Sequence, residues 1–216
     1  MKNIKEYNLD ELKQELISVG EKGYRAEQIF NWLYVEKVKS FDDMTNLSLE
    51  LREKLKQNYT MCNFEILSKQ ESSDGTKKYL FDVLDGNAIE TVLMEYHHGK
   101  TICVSSQIGC KMGCKFCAST GIAFVRGLTS GEIVEQILAV EQDIGEHISN
   151  IVFMGIGEPF DNYDNVMHAI RIINNQKGLN IGARHISVST SGLVPRIYDF
   201  ANEHTQYNLA ISLHAP

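Results

Sequence analysis

The sequence predicts an α/β protein, in which a helical segment and a β-hairpin precede a run of alternating strands and helices. Three observations carry this. Apolar residues recur at helical spacing over residues 1 to about 60. The pattern then switches to strand-like segments at YLFDVL (79–84) and AIETVLMEY (88–96), joined across an Asp85-Gly86 turn, which is a hairpin signal. From Thr101 onward, strand-like and helix-like segments alternate. Such alternation predicts a parallel sheet with right-handed crossovers.

Each element has its own justification. Asn8 to Glu11 reads as a capping box, followed by Leu9, Leu12 and Leu16 on one face and Gly20 as a stop. A second helix carries Ala26, Ile29, Phe30 and Leu33, and a third carries Leu51, Leu55 and Tyr59. Residues 1–60 thus read as a small helical accessory domain without chemistry of its own. Residues 61–100 form a connecting region built on the hairpin. Glu90 there shares a face with Val92 and Met94. A carboxylate on such a face is either an edge residue or one with a perturbed proton affinity and a task; pattern alone prefers the edge residue.

Residues 101–216 form the core. Strand TICVSSQ (101–107) leads into a loop rich in cysteine. Helix 130–145 follows, with Thr129 and Glu132 as a capping box and Ile133, Ile137, Leu138 and Ile144 inward. Strand 150–157, helix 164–175, strand 184–192, helix 195–204 and strand 208–216 complete the series.

Composition bounds the function. Hydrophobic residues make up 43% and charged residues 23%, an ordinary soluble balance. The polar start carries no secretory signal, and no apolar run approaches the roughly 18 residues of a membrane span. A cytoplasmic protein with reduced thiols and no membrane partner is expected, in which clustered cysteines bind metal or react rather than form a disulfide framework. A net charge of −7 argues against nucleic-acid binding by bulk charge. Locally, however, Tyr96 to Gly131 contains Lys100, Lys111, Lys115 and Arg126 and no acid. Loop solvation is the plain alternative.

Function in parallel β/α folds gathers at the carboxyl ends of the strands. Here each apolar strand body changes to small and polar residues at that end: Cys110, Cys114 and Cys117 after the first, Gly155 to Pro159 after the second, Ser189 to Gly192 at the third, Ser212 to His214 at the fourth. Singly, these are turn or capping residues. Together they describe one cleft for a polar small molecule, with Glu158 able to grip an amine.

The spacing C-x3-C-x2-C admits three readings. Structural zinc needs a fourth ligand, His97 or His98, but no second knuckle is present. Buried or redox thiols fit a glycine-bearing loop poorly. An iron–sulfur cluster held by three thiolates keeps one iron open. A molecule with an amine and a carboxylate, such as S-adenosylmethionine, can chelate that iron, and the spacing fits this reading best.

These residues resemble the radical S-adenosylmethionine superfamily. "CVSSQIGCKMGCKFCAST", "FMGIGEP", "VSTSGLVP" and "AISLHAP", in that order, with "YRAEQIFNWLY" and "AIETVLM" upstream, resemble its RNA adenine carbon-2 methyltransferases, the RlmN family. A carbon-8 sister group shares the architecture, but Pro159 and Ser191 fit the carbon-2 group better. The resemblance implies a (β/α)6 barrel with a [4Fe-4S] cluster on Cys110, Cys114 and Cys117. It implies S-adenosylmethionine bound by Gly157, Glu158, Ser189, Ser212, Leu213 and His214. Glu90 is the implied proton acceptor, and Cys103 the implied partner of a second catalytic cysteine that helps release product. Cys62 matches nothing. The implied substrates are adenines of 23S ribosomal RNA and transfer RNA. An electron donor such as flavodoxin or ferredoxin is implied, as is a monomer at full length. The sequence stops just after the fourth strand of an expected six, before the methyl-carrying cysteine that the resemblance places near the C-terminus. The expectation is therefore a C-terminally truncated barrel with an exposed apolar edge, unable to complete methyl transfer. A metal-bearing RNA-binding module without catalysis is the alternative of a different class.

Overall fold

The computed structural model describes residues 1–97, 99–119 and 121–213. Its first three helices are α1 (Leu9–Ser18), α2 (Arg25–Tyr34) and α3 (Leu49–Asn58). The capping box on α1 is formed as expected. Asn8 Oδ1 accepts from the Glu11 N–H and Glu11 Oε2 from the Asn8 N–H, both at 3.0 Å, an arrangement worth about 1 kcal/mol.

These helices do not form a free-standing bundle. Leu12, Leu16, Phe30, Leu33 and Tyr34 join the same continuous core as the sheet residues that follow. A buried ion pair fastens the join. Lys5, 2% exposed, donates to Glu135 Oε2 (2.5 Å), to the Cys62 carbonyl (2.6 Å) and to Asn63 Oδ1 (3.0 Å). Glu135 Oε1 accepts the Phe64 N–H at 3.1 Å. All three ammonium protons are therefore engaged, the condition under which a buried charge is tolerated.

One seven-stranded sheet organises the rest. In chain order its strands are β1 (Glu65–Glu71), β2 (Lys77–Asp82), β3 (Ala88–Tyr96), β4 (Gly99–Cys103), β5 (Asn150–Phe153), β6 (Ile186–Thr190) and β7 (Asn208–Ile211). They also lie in that order across the sheet. The pairs from β1 to β4 are antiparallel and those from β4 to β7 parallel. Helices α4 (Ser130–Ile144), α5 (Tyr163–Ile173) and α6 (Val194–Asn202) connect the parallel strands. The hairpin is thus continuous with the β/α unit, with β3 hydrogen-bonded directly to β4. Among the described residues β7 pairs with β6 alone, and Leu209 and Ile211 are exposed at that edge. Among the described residues, no helix is long and apolar enough to cross a membrane.

The strand pleat divides the residues cleanly. Tyr79, Phe81, Ile89, Thr91, Leu93, Ile102, Ile151, Phe153, Ile186 and Val188 are at most 1% exposed. Tyr79 and Thr91 hydrogen-bond to Asp143 and Gln136 of α4, so this face lies against the helices. The alternate residues Leu80, Glu90, Val92, Cys103, Val152, Ser187, Ser189 and Ala210 are half-buried and line the other face.

Several expected strands prove shorter, the one at 184–192 spanning only Ile186–Thr190. TICVSSQ leaves the sheet at Cys103 rather than Gln107, because the Ser105 backbone is taken over by a side chain of α4. NIVFMGIG stops at Phe153. Beyond it Gly155 packs so close to the preceding loop that an added Cβ would lie 2.7 Å from the Val104 carbonyl oxygen. β1 was not expected at all.

Candidate active site

The chain after β4 makes a short two-stranded ladder, Gln107–Ile108 against Arg126–Gly127. Between the ladder's two strands runs the cysteine loop. Its root is fixed from several sides. Asn162 Nδ2 donates to the Ser106 and Leu128 carbonyls, both at 2.8 Å. Gln107 Nε2 and Lys111 Nζ both donate to Asp161 Oδ2, at 2.8 and 2.9 Å. Gly109, at φ +71°, passes so near the returning chain that a Cβ would fall 2.1 Å from the Ala123 carbonyl oxygen. Only glycine fits there. Within the loop the Cys117 N–H donates to the Cys114 carbonyl at 3.0 Å.

The loop faces the other strand ends across a cavity of about 230 Å³. Cys110, Cys114 and Cys117 line it, together with Gly155, Gly157, Glu158, Ser189, Ser191 and Ser212. Two residues anticipated for the site lie elsewhere or outside view. Leu213 is exposed and does not line this cavity. His214 is outside the described residues.

The chemistry of each side chain follows from its contacts. Glu158 is 3% exposed, and its carboxylate accepts the Phe160 N–H at 3.0 Å and the Ser191 N–H at 2.7 Å. It ties the β5 loop to the β6 loop, a role that spacing alone did not suggest. Its own N–H donates to Gln107 Oε1 at 2.9 Å. Gly157, at φ +105°, leaves its backbone open to the cavity, and a Cβ would strike Gln107 at 2.6 Å. Ser189 and Ser212 share a hydrogen bond of 3.1 Å between β6 and the end of β7.

Glu90 and Cys103 do not line this cavity. Both stand on the half-buried face of the sheet, and Cys103 lies opposite Val92 of β3 and Val152 of β5. Glu90 accepts from Lys78 Nζ at 3.1 Å. Burial pushes the Cys103 thiol upward, and a backbone hydrogen bond from Met154 pulls partly against it. All five cysteines are free thiols. Cys62 is partly buried against the core, where burial raises its thiol to about 12, as expected of an unreactive cysteine in apolar surroundings.

The local basic stretch is largely used internally. Lys100 pairs with Glu95 and Glu146, Lys111 with Asp161, and Arg126 with Asp85 and Glu132. Sequence reasoning missed Gln107, Asn162 and Gln136, whose importance depends on what folds against them. Among the described residues, no three His, Cys, Asp or Glu side chains are gathered around one metal position.

A three-cysteine loop facing glycine- and serine-bearing strand ends across one cleft is the arrangement of a cofactor-binding β/α protein. The family model of the radical SAM superfamily matches residues 104–216, and the chain belongs to that superfamily. A second model, described as the ribosomal RNA large subunit methyltransferase N-terminal domain, matches residues 2–61. Among curated proteins, the chain is 54% identical over 217 residues to a probable dual-specificity RNA methyltransferase RlmN of Bacillus velezensis, covering 99% of this chain and 60% of that protein. A protein of the same description from Clostridium novyi is 53% identical, with 100% and 63% covered. A crystal structure of a radical SAM methyltransferase from Sphaerobacter thermophilus superposes with a TM-score of 0.93 at 43% identity, covering all of this chain and 64% of that one. The chain thus spans about three fifths of the length of these relatives.

Proposed function

We propose that this chain carries the cluster- and cofactor-binding half of an RNA methyltransferase that methylates carbon 2 of adenine in 23S ribosomal and transfer RNA. One observation supports this most directly: the three thiols of C-x3-C-x2-C share a cavity with Gly157, Glu158, Ser189 and Ser212. The donor set suits the implied group. Three thiolates from one loop fit three corners of a [4Fe-4S] cluster, leaving a fourth corner open. Cys110, Cys114 and Cys117 would hold it. When bound, the cluster supplies the electron that cleaves the sulfonium of S-adenosylmethionine to a carbon-centred radical.

The chain's own residues bind and orient. The open backbone at Gly157 and the Ser189–Ser212 pair offer donors and acceptors to S-adenosylmethionine. Glu158 holds the two loops that flank it. Glu90 accepts the proton that leaves the adenine ring. Carbon 2 of adenine is electron-poor and does not attack a methyl sulfonium directly, so the methyl group travels through a cysteine. Cys103 serves as its partner in product release. The reaction is cytoplasmic and draws its electron from a small donor such as flavodoxin or ferredoxin.

The test uses protein of the relatives' full length, reduced, with S-adenosylmethionine and adenine-containing ribosomal RNA. Mass spectrometry of digested RNA is expected to find 2-methyladenosine, abolished by Glu90→Gln and by Cys114→Ala. Finding 8-methyladenosine, or no methylated adenosine, overturns the reading.

A further inference from the structure

Behind the cavity lies a polar knot that no proposed role uses. Ser105 and Gln136 are both fully buried, at 0% exposure. A buried carboxamide is tolerated only when its donors and acceptors are matched. Gln136 Oε1 accepts the Ser105 N–H at 2.8 Å, and its Nε2 donates to the Ser105 carbonyl at 2.9 Å. The side chain therefore pairs with Ser105 as a neighbouring strand's peptide would, just after β4 has left the sheet. Thr91 Oγ1 donates to Gln136 Oε1 at 2.8 Å, anchoring the carboxamide to β3.

With its backbone so held, Ser105 has one free group, the hydroxyl. It donates to the Glu90 carbonyl at 2.6 Å and accepts the Ile156 N–H at 3.0 Å. The contact with the loop is tight. An added Cβ on Gly155 would come within 2.8 Å of Ser105 Oγ. One hydroxyl thus joins the strand that carries Glu90 to the Gly155–Glu158 loop. Backbone bonds tie the loop to residues 104–107, from the Gly155 N–H to the Val104 carbonyl at 3.1 Å and from the Ser106 and Gln107 N–H groups to the Ile156 carbonyl at 2.9 and 3.2 Å; the Ser105 hydroxyl adds the link to β3.

We infer that Ser105, held by Gln136, is the positioning residue that sets the Gly155–Glu158 loop against the Glu90 strand. This inference rests on the reading of that loop as the S-adenosylmethionine site. Without that acceptor the Ile156 N–H is left unmatched, and the loop, still held through the Ile156 carbonyl and Glu158, loses the bond that fixes the peptide just before Gly157.

The test separates positioning from mere stability. The 216-residue chain is reconstituted anaerobically with iron and sulfide, and S-adenosylmethionine is titrated while the reduced cluster's electron paramagnetic resonance spectrum is recorded. Ser105→Ala is expected to weaken the cofactor's effect on that spectrum by about tenfold in concentration, the scale of one lost hydrogen bond, with iron content unchanged. Thr91→Val breaks a bond in the same knot but none to the loop. It is expected to lower the melting temperature comparably while leaving the cofactor response where it was. Should Ser105→Ala not fold, Ser105→Cys, which keeps a weaker hydrogen-bonding atom in place, carries the same comparison. Equal cofactor affinity in the Ser105 and Thr91 variants overturns the inference alone. A wild-type cluster that ignores S-adenosylmethionine overturns the functional reading and this inference with it.

Discussion

The two faces of the seven-stranded sheet are made from alternate residues of the same strands and have opposite characters. One face presents Phe81, Ile89, Leu93, Ile102, Ile151 and Ile186, sealed against the helices. The other presents Glu90, Val92, Cys103, Val152, Ser187 and Ser189, all half-buried. A single-residue register step separates them, since successive side chains point to opposite faces. The division assigns stability to one set of positions and leaves the other free for chemistry. Glu90 and Cys103 belong to the second set. A bulky or charged residue there disturbs no helix packing.

This contrast is open to direct attack. The sealed face depends on α4, which Lys5 and Glu135 fasten to the N-terminal helices. Lys5→Met strands Glu135 as a buried, uncompensated carboxylate. It is expected to cost about 3–5 kcal/mol, measured by urea unfolding. Ile102→Ala, on the sealed face of β4, is expected to cost about 2–5 kcal/mol. Val152 of β5, which follows Ile102's cross-strand partner Ile151 and stands on the open face, provides the counterpart. Val152→Ala is expected to cost no more than about 1 kcal/mol, since the side chain is only half removed from water. Equal costs for Ile102→Ala and Val152→Ala would show that both faces are packed alike and dissolve the contrast.

The smallest expected effect is on pH dependence. Asp143 accepts from Lys69 and from Tyr79 of the sealed face. Burial pushes its carboxyl upward, but these two hydrogen bonds outweigh it and hold the group below its ordinary value of 3.8. A depressed carboxyl stabilises the fold above its unfolded value, and that contribution fades as pH falls through the lower folded value. Asp143→Asn is therefore expected to lower the melting temperature slightly at neutral pH, where the ionised carboxyl contributes in full, and to flatten its decline below about pH 4, where the two proteins converge.

Much of the fold was legible because the sealed face dictates it. The hairpin, the strand bodies of β4 to β6 and helices α1 to α6 follow from apolar periodicity that their burial explains, whereas β7 was legible from its apolar residues although Leu209 and Ile211 are exposed. β1 was not legible, for a physical reason: every residue of EILSKQE is exposed, so no buried face imprints a period of two. The strand ends were misjudged for a related reason. Ser105 and Ser106 look like more strand, yet Gln136 replaces the ladder there. The site was legible where its chemistry is local, as in the cysteine spacing and the small polar residues at each strand end. It was illegible where it depends on distant partners. Asn162 holding the root of the cysteine loop, and Glu158 tying two loops rather than standing free, are facts of folding rather than of spacing.

The measurement that bears most directly on the open face and its cavity is metal analysis of the 216-residue chain after anaerobic reconstitution. The expected result is about four irons with matching sulfide per chain, lost in Cys114→Ala, and a spectrum altered by S-adenosylmethionine. One zinc per chain with no bound iron would contradict the account.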